Sequence, residues 1–222
     1  MQLKLGGGRV SGSLGLQVPG LSGVVSGAAW VLDGQLQTRG MEVAALTAPS
    51  RLLSGQLEAD TTLKARARDA ASLVDALDTQ TRFTVRNAVL HGLDLARAVT
   101  MAGLSRGGET RLDTLSGEVA TLGRAAQVRQ FTARSGVLTA DGQVSVSAAR
   151  VLSGRISVDT AGGLVGVPLA VGGTLDAPQV TLTRGALLGA AIGTAVLPGV
   201  GTGVGARLGD WIDSGIKELF GR

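Results

Sequence analysis

The sequence predicts a mainly β fold: a curved antiparallel sheet or open β-groove, built from repeated strand units. Two short helices and a C-terminal glycine-rich helical hairpin complete it. Three observations carry this reading. The phrase Leu-Ser-Gly recurs at Leu21, Leu53, Leu115 and Leu152, with a Val10-Ser11-Gly12 variant, and each copy leads into a polar/apolar alternation. From Leu57 to Arg66 the alternation is strict. Leu57, Ala59, Thr61, Leu63 and Ala65 share one side, and Glu58, Asp60, Thr62, Lys64 and Arg66 share the other. One buried face and one wet face is the antiparallel pattern. Glycine supplies 35 of 222 residues without a Gly-X-Y period. Glycines used this way mark turns, strand bends and close helix contacts.

Residues 1–78 form the first predicted unit, of strands with one short helix. Gly6-Gly7-Gly8 and Pro19-Gly20 are breakers. Asp33-Gly34 has the composition of a type I′ hairpin turn joining residues 28–32 to 35–37. Asp69 is placed to cap a short helix whose stripe is Leu73, Val74 and Leu77.

Residues 79–183 form the second unit. Strands resume at Arg82-Phe83-Thr84-Val85, and Asp94 is placed to cap a second helix running through Ala102. Strands are predicted at 116–122, 127–134, 137–140, 143–149, 154–160, 168–175 and 179–183. Asp141-Gly142 is read as a second hairpin turn. Val144, Val146 and Ala148 face one way, with Ile156 and Val158 as a matching apolar pair on the next strand.

Residues 184–222 form the tail. Twenty-two residues between Arg184 and Arg207 carry no charge. Gly185, Gly189 and Gly193 are spaced by four, as are Gly201, Gly205 and Gly209, with Leu197-Pro198-Gly199 between the sets. Such spacing lines one helix face with glycine and admits a second backbone. Trp211, Ile212, Ile216 and Phe220 continue the apolar side of the second helix. Two readings stand: a single-pass anchor of sufficient length, or a hairpin that inserts shallowly, self-associates or caps the sheet.

Composition excludes several function classes. The net charge is +4, mild and interspersed, and aromatics are 2% with no tyrosine. A nucleic-acid platform needs stacking side chains on a basic face, so no nucleic-acid partner is expected. Absent cysteine and a single histidine, His91, argue against a thiolate or multi-histidine metal site. There is no phosphate loop, dinucleotide fingerprint or Gly-x-Ser-x-Gly elbow, and His91 has no nucleophile or carboxylate at motif spacing. No enzyme activity, cofactor or catalytic residue is expected. Lys64, Arg66 and Arg68 read as a solvated strand face, with acidic headgroups as the other option. The chain starts in strand-like sequence without a cleavable leader. The expectation is therefore either a cytosolic protein or an export or anchor segment outside these residues.

The segment Arg82–Ala96, with its Gly92-Leu93-Asp94-Leu95 phrase, resembles an element of AsmA-like proteins. Thr110–Asp159 matches the order of their next unit, and Pro168–Val180, with Gly173-Thr174-Leu175 and Asp176-Ala177-Pro178, is similar to their closing element. The resemblance covers residues 79–183 well and 1–78 loosely. It implies a periplasmic, inner-membrane-associated protein of Gram-negative envelopes. Such proteins contribute to outer-membrane biogenesis and move phospholipid along a hydrophobic β-groove. Under it, Leu57, Leu63, Val144, Val146, Ile156 and Val158 are candidates to line the groove. Phospholipid, a membrane surface and other envelope proteins are the expected partners. The competing accounts are a closed sandwich with that face as core, and an assembly module that binds outer-membrane protein precursors by an open strand edge without lipid.

Overall fold

The computed structural model describes residues 2–5, 7–18, 29–47, 52–100, 107–161 and 166–188. Its strands are β1 (Gln2–Leu5), β2 (Gly8–Gln17), β3 (Trp30–Glu42), β4 (Leu53–Ala67), β5 (Asp78–His91) and β6 (Glu109–Leu122). They continue as β7 (Ala125–Arg134), β8 (Leu138–Val146), β9 (Leu152–Thr160), β10 (Val167–Gly173) and β11 (Pro178–Leu182). All eleven join one sheet in chain order, each antiparallel to the next. The sheet is curved and does not close into a barrel. The sheet also runs without a break through residues 78 and 79.

The period-two pattern decides which face each side chain takes. Along β4, Ala59, Leu63, Ala65 and Ala67 are buried, while Asp60, Thr62, Lys64 and Arg66 are exposed. Consecutive antiparallel strands place their connections alternately at the two ends of the sheet. Helix α1 (Val43–Thr47), helix α2 (Leu95–Thr100) and a helical start at 184–188 all leave from the same end. The principal core lies there. Leu93, Leu95, Ala98 and Val99 pack with Val85, Leu112, Leu138, Ile156, Val158, Leu169 and Leu182. Val158 and Leu169 are fully buried.

Asp94 caps α2 by accepting from the Arg97 amide at 2.9 Å, as the sequence predicts. Asp69 also caps, accepting from the Ser72 amide at 2.9 Å. The element it caps is a single 3₁₀ turn, Ala71–Leu73, rather than a longer amphipathic helix. Three residues bury too little to extend further, and Val74 is left exposed.

Both predicted Asp-Gly hairpin turns are corrected. Asp33-Gly34 lies inside β3, and Asp141-Gly142 inside β8. These glycines sit where a neighbour crowds the apolar face. A Cβ on Gly34 would meet Leu14 Cδ2 and the Ser13 carbonyl oxygen, and one on Gly142 would meet the Arg155 carbonyl oxygen. Close approach explains them, and a turn does not. The Leu-Ser-Gly phrase divides in the same way. It opens β4 and β9, but at Leu115 and Val10 it lies within β6 and β2. Leu21 and the tail beyond 188 lie outside the described residues.

Candidate functional site

Register lines the apolar positions into rows that cross the sheet. One row reads Gly12, Leu36, Thr61, Thr81, Val119, Val128, Val144, Gly154, Val171 and Val180, one residue per strand from β2 to β11. None is charged. At a strand spacing of ~4.8 Å this row spans about 43 Å before curvature. On the helix-bearing side of it runs Met41, Leu57, Val85, Leu115, Ala133, Ala140, Val158 and Val167. On the far side runs Leu14, Gly34, Leu63, Thr79, Thr121, Ala126, Val146 and Leu152.

The rows differ in cover. Near the helices, α2 packs over the face and Val85, Ala133, Ala140 and Val158 are buried. Away from them, Leu14 keeps 46% of its surface exposed and Leu16 53%. Val119, Val128, Val144 and Val146 are intermediate. The threonines in these rows bond to each other, Thr61 Oγ1 to Thr81 Oγ1 at 3.0 Å and Thr79 Oγ1 to Thr121 Oγ1 at 2.6 Å. Each pair satisfies one hydroxyl donor across the strands, which eases the place of these threonines in an apolar row.

The predicted groove residues all lie on this face, in two environments. Ile156 and Val158 belong to the covered core, and Leu57 and Val144 pack at its margin. Leu63 and Val146 lie in the far row, Leu63 buried and Val146 partly so. The expected pairing of Val144 and Val146 with Ile156 and Val158 is shifted: Val144 faces Gly154, Val146 faces Leu152, Ile156 faces Gly142 and Val158 faces Ala140. Ala148 falls beyond the end of β8. Sequence reasoning missed Leu14 and Leu16, although their own alternation placed them together. Of the tail candidates, Gly185 is buried. Gly189, Gly193, Gly201, Gly205, Gly209, Trp211, Ile212, Ile216 and Phe220 lie outside the described residues. No helix among the described residues is long and apolar enough to cross a membrane.

The opposite face is polar. Gln37, Asp60, Arg82, Glu118 and Arg129 form a row of alternating charge across β3 to β7. Arg82 donates to Glu118 at 2.9 Å, and Arg86 to Glu58 at 3.4 Å. Gln37, Asp60, Arg82, Glu118 and Arg129 border a depression of about 470 Å³. Exposed pairs of this kind contribute about 0–1 kcal/mol each.

His91 is not isolated in space. Its Nε2 lies 3.0 Å from Ser54 Oγ and its Nδ1 3.0 Å from Glu109 Oε1. Ser54 is the second residue of β4, His91 ends β5 and Glu109 starts β6, so cross-strand pairing brings them together. Separations of 37 and 18 residues hid this from motif reading. Among the described residues no group of acidic or histidine side chains could hold a metal ion. Comparison of the chain with family models, with curated proteins and with solved structures finds no match.

Proposed function

We propose that this protein binds or conducts phospholipid along the apolar face of its sheet, as an AsmA-like component of the cell envelope that contributes to outer-membrane biogenesis. The observation that carries the reading is the set of uncharged rows crossing the sheet, covered by helices at one end and, at the other, exposed at Leu14 and Leu16 of β2. A face of this kind suits an acyl chain, each buried methylene contributing about 0.8 kcal/mol. The sequence resemblance supports a periplasmic place beside the inner membrane. The reading requires no chemistry on the lipid. Its test is lipid extraction and mass spectrometry after detergent-free purification. Stoichiometric phospholipid is expected, and a lipid-free chain that also fails to take up fluorescent phospholipid from vesicles overturns the reading.

A second reading has its own observation. Among the described residues the outer edges of β1 and β11 carry no further strand. An open edge offers main-chain donors and acceptors to an extended partner. Under this reading the protein holds outer-membrane protein precursors by strand addition. Photo-crosslinks from β11 to barrel precursors, without lipid, favour it over the first.

A further inference from the structure

The polar face carries the parts of a nucleophilic relay that the lipid reading does not use. Glu109, as a carboxylate, only accepts hydrogen bonds, so the contact at His91 Nδ1 requires the proton on that nitrogen. In the neutral ring Nε2 is then an acceptor, and Ser54 Oγ–H donates to it at 3.0 Å. Nucleophile, base and orienting carboxylate stand in the order that activates a serine. His91 and Glu109 keep 38% and 50% of their side-chain surface open, so a substrate can reach them.

The next residue supplies an amide. A bulge between Ser54 and Gln56 interrupts the β4–β5 register at Gly55. Gly55 N–H donates to the Glu42 Oε1 carboxylate oxygen at 2.7 Å. An amide directly after the nucleophile is a recurrent oxyanion donor in acyl hydrolases, and here it already holds an anionic oxygen.

We propose that Ser54, His91 and Glu109 hydrolyse acyl esters on the polar face, with Gly55 N–H as oxyanion donor and Glu42 occupying that donor in the resting chain. Ser54 Oγ attacks the ester carbonyl carbon while its proton passes to His91 Nε2. The developing oxyanion replaces the Glu42 carboxylate at Gly55 N–H. The carbon–oxygen bond to the leaving group breaks, and the alcohol departs with the proton from Nε2. Water then attacks the acyl-Ser54 ester, giving up a proton to Nε2. The carboxylic acid leaves and Ser54 recovers its proton. Glu109 holds the imidazolium in both halves. The site is on the opposite face from the apolar rows, so this inference stands independently of lipid binding there.

The test uses the intact chain with a fluorophosphonate probe and p-nitrophenyl butyrate. The expected adduct maps to the Ser54 peptide. Ser54→Ala removes labelling and ester turnover, and His91→Gln lowers turnover by about 10²-fold or more. Glu42→Ala raises both labelling and turnover, because the amide is freed. The adduct is mapped on the unaltered chain, so the measurement does not depend on any variant folding. Absence of a Ser54 adduct in the unaltered chain overturns the proposal, as does turnover that survives in Ser54→Ala.

Discussion

Gly34 and Leu14 share one place on the apolar face: a Cβ added to Gly34 would lie 2.6 Å from Leu14 Cδ2 and 2.7 Å from the Ser13 carbonyl oxygen. The two residues are paired across β2 and β3, with Leu63 on the other side of Gly34. The glycine is a hollow that a neighbouring leucine fills. Gly34→Ala should therefore destabilise the sheet by about 1–3 kcal/mol through overpacking against backbone. Gly172→Ala should stay within about 0.5 kcal/mol, because a Cβ there meets nothing within 4 Å. Urea midpoints of the two variants check the contrast.

Leu169 is fully buried opposite Ile156 and Leu182, whereas Leu16 keeps 53% of its surface. Leu169→Ala should cost about 2–5 kcal/mol through the cavity it leaves. Leu16→Ala should change stability by about 0.5 kcal/mol or less. Chemical denaturation of each variant measures this, and equal costs would mean that the open end is covered in solution.

The lipid reading makes its own demand on the open end. Leu14→Asp combined with Leu16→Asp places two charges on the far part of the apolar face. Bound phospholipid should fall several-fold while the sheet keeps its circular dichroism, because these side chains are already half in water. Lipid mass spectrometry on the purified variant reads the result.

Asp94 anchors α2, and α2 supplies Leu95, Ala98 and Val99 to the core. Removing the cap with Asp94→Ala should cost about 1 kcal/mol. A destabilised α2 should also raise amide exchange at Ala98, whose N–H donates to the Asp94 carbonyl.

Asp69 answers to pH. Hydrogen bonds from the Ser72 backbone and side chain hold its carboxyl below the ordinary value of 3.8, since they favour the charged form. A lowered folded-state value means the capping contribution is complete above the unfolded value. It is lost as pH falls through the folded one. Protection of the Ser72 amide should therefore persist to a pH below 3.8 and vanish beneath it. Amide exchange across that range, with Asp69→Asn as reference, tests the sign.

Much of the fold was legible because strand alternation is local. The run Leu57–Arg66 announces its two faces in ten letters, and the structure keeps every one of them where the alternation puts it. The Asp-Gly pairs were misleading for a physical reason. A turn and a crowded strand position both require a residue without Cβ, and only the neighbours tell them apart. For Gly142 the neighbour is Arg155, and for Gly34 it is Leu14.

The chain by itself determined a β protein with one apolar and one polar face, because side chains two apart on a strand must point the same way. Tertiary structure decided what those faces do. Register aligned Leu36, Val119, Val144 and Val180 into one row across the sheet. The same pairing carried Ser54 and Glu109 to His91, across 37 and 18 residues. Register is set by packing between strands, so no single stretch of sequence contains it.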